Sequence, residues 1–345
     1  MTFPALKIGR QLPMAIMILL LPCVVSQPSA SAQTDQEDRS FDTVEYRKDI
    51  VSPRQILVGI ITEMDQRQVR IDLGTNGSRS VARDQILSIR LAADPDVAAA
   101  NQWVQSGKFR QAADQWEKIS KKKGPDWLTQ HAREQLCQCQ LASSQLVSAL
   151  ATYLRLCEET PAIPWAVAPL AWGNVSPNPV LQRQLTGWLQ DKHPAKQLLA
   201  ASYLLQNPET TGRARQTLQA LTTNSDRNVV ALAETQLWRL ETDVDAARLA
   251  ELQAGCEAIP EALRAGPLLQ LARLKKNAGR PKDAVADFLR VATMYPQQYS
   301  LVLLGLDQAY LTLNGLGDGQ AKQVGEWLKQ RFPDSVAASA IPEDL

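Results

Sequence analysis

The groups in this chain best suited to chemistry are two histidines, four cysteines and one glycine cluster, and none is spaced for a familiar reaction. His131 and His193 stand apart, each in a polar helix or turn context. The sequence holds no HExxH, no phosphate-binding GxxxxGK, no GxSxG elbow and no GxGxxG dinucleotide turn. Each of those motifs works because a fixed offset puts its residues on one helix face or in one tight turn. Gly315-Leu316-Gly317-Asp318-Gly319 has glycines at alternate positions but neither a preceding strand nor a lysine, so it reads as a turn rather than a phosphate cradle. Cys137 and Cys139 are two apart, which fits neither a CxxC redox pair nor a zinc knuckle; with Cys157 and Cys256 they read as small buried residues. The expectation is a chain without catalytic residues, cofactor or metal.

Other residues could bind rather than react. The pair Glu158-Glu159 reads as a solvated helix end. Most of the eight tryptophans read as wedges in a helical core. Trp165 and Trp172, flanking a proline-rich break, are candidates to face a ligand.

The elements that must hold these residues are mainly helices. Aromatic residues make up 6% of the chain and Ala, Leu and Gln are abundant, a composition that favours helices over sandwiches. At the N-terminus, Lys7 and Arg10 precede an apolar run from Met14 to Val25, and Ala30-Ser31-Ala32 forms a small-x-small cleavage site. Residues 1–32 therefore read as a signal peptide cut between Ala32 and Gln33, giving an exported product, periplasmic or secreted. The apolar run is too short for the roughly 20 residues of a spanning helix, so no stable membrane span is expected. Pro22 stands before Cys23 where a lipobox has a small residue, which disfavours lipidation. Of the 37 Lys and Arg, two lie in the signal, leaving 35 against 36 acids, so bulk nucleic-acid binding is not expected.

Residues 33–50 are polar and aperiodic and read as a flexible linker. Residues 51–91 change texture. Ile56, Val58 and Ile60 alternate along one face, Val69, Ile71 and Leu73 repeat the pattern, and Asn76-Gly77 signals a hairpin before Ser78–Val81. A fourth strand around Ile86, Leu87 and Ile89 completes a small meander or open barrel, leaning on the helices C-terminal to it. Its strand spacing resembles small SH3-like or Sm-like barrels. Arg67, Arg70, Arg79, Arg83 and Arg90 lack an aromatic platform and are interleaved with Asp65, Asp72 and Asp84, so they read as a solvated rim and not an RNA face.

From Asp94-Pro95-Asp96 onward the chain reads as helices, and its periodicity is the most informative feature. Ala112 is followed by Trp116 and then Gly124-Pro125, with Gly107 five residues before it. Ala149 is followed at the same offsets by Tyr153 and Pro161, and Ala284 by Phe288 and Pro296, with Gly279 five before. Ala321 has Pro333 at the same offset, but Gly325 takes the aromatic position. Ser144 stands where the other units have glycine. The small residue lets two helices approach, and the aromatic fills the wedge one turn on. Glycine ends the first helix in a left-handed cap, and proline stops the second.

This register resembles the tetratricopeptide repeat, and the endings Tyr295-Pro296 and Arg331-Phe332-Pro333 resemble those of bacterial cell-envelope members. The resemblance implies a mainly α fold: an α-solenoid of helix-turn-helix repeats behind the small all-β module. Its divisions would be N-terminal repeats over 95–163, an irregular helical segment over 164–262 and C-terminal repeats over 263–345. It also puts Cys137 and Cys157 on partner helices, where a bridge is the alternative to free thiols. The implied function is a non-enzymatic scaffold that holds other proteins or peptides on a concave face. Gln102, Arg133, Gln140 and Gln270 are candidates for that face. The alternative is an accessory or regulatory subunit of an envelope enzyme, or an enzyme with an unfamiliar site in the central segment.

Overall fold

The computed structural model describes residues 41–49, 52–65, 67–91, 94–160 and 163–342. The stretch read as a signal peptide, with its expected cleavage between Ala32 and Gln33, and Pro161 lie outside the described residues. Five antiparallel strands come first: β1 (Asp42–Tyr46), β2 (Gln55–Met64), β3 (Gln68–Asp72), β4 (Ser78–Ala82) and β5 (Ile86–Arg90). Their order in the sheet is β4-β3-β2-β1-β5, with a 3-10 turn at Arg83–Gln85 bringing the last strand back beside the first.

Two expectations are corrected here. Strand β1 lies inside the stretch read as a linker; Val44 and Tyr46 are buried in it, and the Asp42 carboxylate accepts from the Ile61 N–H at 2.9 Å. Its polar neighbours hid the alternation. Strand β2 is apolar on both faces, and the buried one is Leu57, Gly59 and Ile61. Ile56, Val58 and Ile60 are instead 63%, 55% and 43% exposed. A period of two cannot choose between faces when both are apolar, and a shift of one residue inverts every side chain.

Fourteen helices follow among the described residues. The first four are α1 (Pro95–Gln105), α2 (Phe109–Lys121), α3 (Asp126–Ala142) and α4 (Leu146–Glu159). After the connecting residues come α5 (Pro179–Trp188), α6 (Pro194–Leu204), α7 (Thr211–Leu221), α8 (Arg227–Leu237) and α9 (Ala246–Ala258). The last five are α10 (Ala265–Asn277), α11 (Pro281–Met294), α12 (Tyr299–Gly315), α13 (Gln320–Arg331) and the short α14 (Val336–Ser339). Consecutive helices pack within α1–α4, within α5–α8 and within α10–α13.

Four of these pairs share one local device. Gly107, Ser144, Gly279 and Gly317 have φ of 70°, 61°, 75° and 64°, and each ends the first helix of a pair. In each, the residue after the left-handed one donates to a carbonyl five back: Lys108 to Trp103, Gln145 to Gln140, Arg280 to Lys275 and Asp318 to Leu313. The left-handed residue itself donates three back, to Val104, Leu141, Lys276 and Asn314. These two bonds satisfy carbonyls that a helix end would otherwise leave unpaired. Ser144 accepts this conformation without being glycine. Ala112, Trp116, Ala149, Tyr153, Ala284 and Phe288 are all buried at the interfaces so formed, and Pro296 turns the chain between α11 and α12. Where Gly325 lacks an aromatic, Tyr310 of α12 fills the space; a Cβ on Gly325 would lie 3.2 Å from its ring.

The first and last pairs also meet. Helix α12 packs on α3, and Phe109 stacks on Phe332 at 5.2 Å between ring centroids with Tyr299 beside it at 5.1 Å. Gly107 presses against Pro333 and Arg331. The helices from residue 95 therefore close on themselves instead of forming the open stack expected.

Candidate binding clefts

Residues 163–178 form no regular element apart from a 3-10 turn at Trp165–Val167, and they run as a strap through the closed set of helices. Pro164, Pro169 and Pro177 forbid a continuous helix here. The strap's carbonyls are satisfied from the surrounding helices instead. The Tyr203 hydroxyl donates to the Pro169 carbonyl at 2.8 Å, and the Arg239 guanidinium donates to Gly173 at 3.1 Å and to Ser202 of α6 at 2.5 Å. Gln270 of α10 donates to the Trp172 carbonyl, and the Trp165 indole N–H donates to Asp226 at 2.8 Å. Gly266 leaves the space that the Trp172 ring occupies. Among the described residues no carboxylate pairs with Arg239; burial lowers its pKa to about 10, and carbonyl dipoles do the work of a counter-ion.

The strap walls two clefts. The first, about 440 Å³, is mostly apolar, with Trp165, Leu170, Trp172, Leu301 and Leu304 around it and Asp307 among its few polar groups. Burial raises the Asp307 carboxyl above the ordinary carboxylate range. The second, about 510 Å³, lies between β5, α3 and the turn at Glu261–Leu263. Gln138, Trp165, Ala166, Leu263 and Gln298 border both.

Helix α3 presents His131, Glu134, Gln135 and Gln138 to the second cleft, residues three, four and seven apart and so on one face. Their charges are largely cancelled. Glu134 accepts from Arg83 at 2.8 Å and from Gln130 at 3.1 Å. His131 is not in the polar setting its neighbours suggest: it is buried, with the Trp116 ring edge-on at 5.8 Å. Burial pushes its pKa down to about 4, so the imidazole is neutral near pH 7. His193 caps α6, its Nδ1 accepting from the Ala195 N–H at 3.2 Å.

The four residues proposed for a concave face are not brought together. Gln102 is exposed on α1, and Arg133 pairs with Glu159. Gln140 is buried and accepts from Thr152 at 2.9 Å, while Gln270 is buried and holds the strap. The last two are corrected from partner-facing to internal, because α4 covers Gln140 and the strap covers Gln270. Cys137, Cys139, Cys157 and Cys256 are free and buried, so the Cys137–Cys157 bridge is absent. Burial raises all four thiols, Cys157 and Cys256 to about 11. Trp165 and Trp172 do border a cleft, as their position at the proline-rich break suggests. Sequence reasoning misses Gln138 and Leu304; the polar stripe along α3 is a readable signal for the first, and nothing marks the second. Among the described residues, no three of His, Cys, Asp and Glu are grouped to hold a metal, and no helix is long and apolar enough to cross a membrane.

No family model, curated protein or solved structure matches this chain.

Proposed function

We propose that this is an exported, non-catalytic repeat protein that holds an apolar segment of another protein in the clefts beside its strap. The observation that carries the reading is the 440 Å³ cleft lined by Trp165, Trp172, Leu301 and Leu304. Its wall is pinned from behind by Arg239, Gln270 and Tyr203, so the cavity is preformed, and a preformed apolar cavity with few polar groups suits a hydrophobic anchor side chain. The four left-handed caps and the small–aromatic pairs support the resemblance to tetratricopeptide repeats, and the leader supports export. The reading differs from the open-stack expectation in one respect: binding is assigned to clefts, because the helices close on themselves.

The test is capture from cell-envelope fractions with residues 33–345 as bait, beside an Ala166→Trp variant. Ala166 borders both clefts, and an indole there would plug them. The expected outcome is a stoichiometric protein recovered by the parent and lost with the variant. Equal recovery by both would refute the cleft assignment, and small-molecule turnover without a partner would refute the binding reading itself.

A further inference from the structure

Strand β5 is the edge of its sheet, hydrogen-bonded to β1 alone. Among the described residues the one other backbone bond to this strand is from the Ile86 N–H to the Arg83 carbonyl, so the outer N–H and C=O groups beyond Ile86 are open to a further strand. Ile86, Leu87, Ser88 and Ile89 form one wall of the second cleft. An edge strand is ordinarily a hazard that proteins cover or shorten. Here it borders a cavity whose far wall is α3 and the strap.

Two residues of that far wall, Gln138 and His131, each hold one buried side-chain atom, Oε1 and Nδ1, with no partner among the described residues. The two residues are only 4% and 5% exposed. A buried polar atom left unpaired is costly, so such atoms mark places where a ligand supplies the missing bond. Gln138 calls for a donor, and a neutral imidazole offers either an N–H or a lone pair. Arg83 and Glu134 pair with each other, and Glu261, the third charged residue of the lining, pairs with Arg47 at 3.6 Å, so the charges of the cleft are matched. Ile86, Ile89, Leu263 and Met294 add apolar wall between the polar groups.

We propose that the second cleft is a strand-addition site, in which an extended, uncharged peptide segment pairs with the free edge of β5 and turns its far side to Gln138 and His131. This rests on the protein-binding reading above and names the form the bound segment takes. Four residues of β5 at ~3.3 Å each give a pairing length of about four peptide residues. Main-chain bonds would supply the affinity, and alternate side chains would enter the apolar walls. The row of main-chain donors and acceptors along the β5 edge favours a peptide over a sugar. An oligosaccharide could bond Gln138 but would leave the β5 edge unpaired and has no side chain for a leucine-lined cavity.

The experiment screens residues 33–345 against a bead-displayed library of decapeptides built from uncharged amino acids, then rescans the tightest binder with single N-methyl substitutions. The expected result is a loss of about tenfold at every second position within a run of about four residues, the effect of deleting one main-chain hydrogen bond. Gln138→Leu should weaken binding by a similar factor while leaving the melting temperature unchanged or raised, since it removes an unpaired buried acceptor. N-methylation tolerated throughout, a loss without period two, unchanged affinity of Gln138→Leu, or a library without binders would each overturn the proposal. A partner captured by the parent and lost with Ala166→Trp would keep the wider reading standing in any of those cases.

Discussion

The hydroxyl of Tyr299 donates to Oε1 of Gln135 over 3.0 Å, joining residues 164 apart in the chain. Around this bond the first and last helix pairs share one aromatic cluster, Phe109, Tyr299 and Phe332. In a linear stack each pair would touch only its sequence neighbours. Closure makes the molecule's stability depend on a seam that runs beside the second cleft, whose wall includes Gln135.

Gly107 lies in that seam. Its φ of 70° disfavours any side chain, and a Cβ there would lie 2.7 Å from the Arg331 carbonyl oxygen as well as against Pro333. Gly107→Ala should destabilise by more than about 2 kcal/mol. Gly279→Ala shares the backbone conformation but has open space around its Cβ, and should cost about 1 kcal/mol. Chemical denaturation of the two variants checks this; equal losses would mean the seam contributes nothing beyond the turn.

Arg239 ties the strap to α6 through one planar fork, donating to Gly173, Ser202 and Gln236. Arg239→Ala leaves buried carbonyls unpaired and opens a cavity, with an expected loss of about 3 kcal/mol. Arg239→Lys should not restore it, because an ammonium cannot span the same acceptors. Urea midpoints of the three proteins decide the point.

Stability should fall with acid in a defined window. His131 has a folded-state pKa of about 4 against the ordinary 6.5, so between those values the unfolded chain binds the extra proton. Its contribution is complete above pH 6.5, is lost as pH falls from there, and levels off below about 4. The full loss is roughly 3 kcal/mol for a shift of about 2.5 units. Unfolding curves from pH 7 to 4 should show this slope, and His131→Phe should flatten it. An unchanged slope would place the acid sensitivity elsewhere.

The thiols should be silent in the native state. Cys137, Cys139, Cys157 and Cys256 are buried and unbridged, with thiolates disfavoured by burial. An aromatic disulfide reagent at pH 8 should modify none of them until denaturant is added, and reductant should leave the melting temperature unchanged.

Much of this fold was readable from residue spacing. Gly107, Ser144 and Gly279, each five residues before a small residue and nine before an aromatic, mark helix ends and interfaces because local sterics set both. What could not be read was long-range. The meeting of Phe109 with Phe332 has no signature within either helix pair, and Gln140 and Gln270 look like surface residues until α4 and the strap cover them. Strand β2 shows the same limit at short range, since Ile56 and Leu57 are equally apolar and only the partner decides which one is buried. Of the clefts, the tryptophans at the proline-rich break were visible, while the β5 edge was not, because edge position belongs to the whole sheet.

The seam at Phe109 and Phe332 also sets a timetable for folding. Ribosomes deliver a chain from its N-terminus, so Phe109 emerges long before the ring that covers it. Until Phe332 arrives, the first helices carry an uncovered aromatic patch, and a truncation that removes Phe332 never supplies the cover. Such fragments should be sticky and protease-sensitive well beyond the missing residues, a vulnerability that an open stack, able to stop at any repeat, does not share.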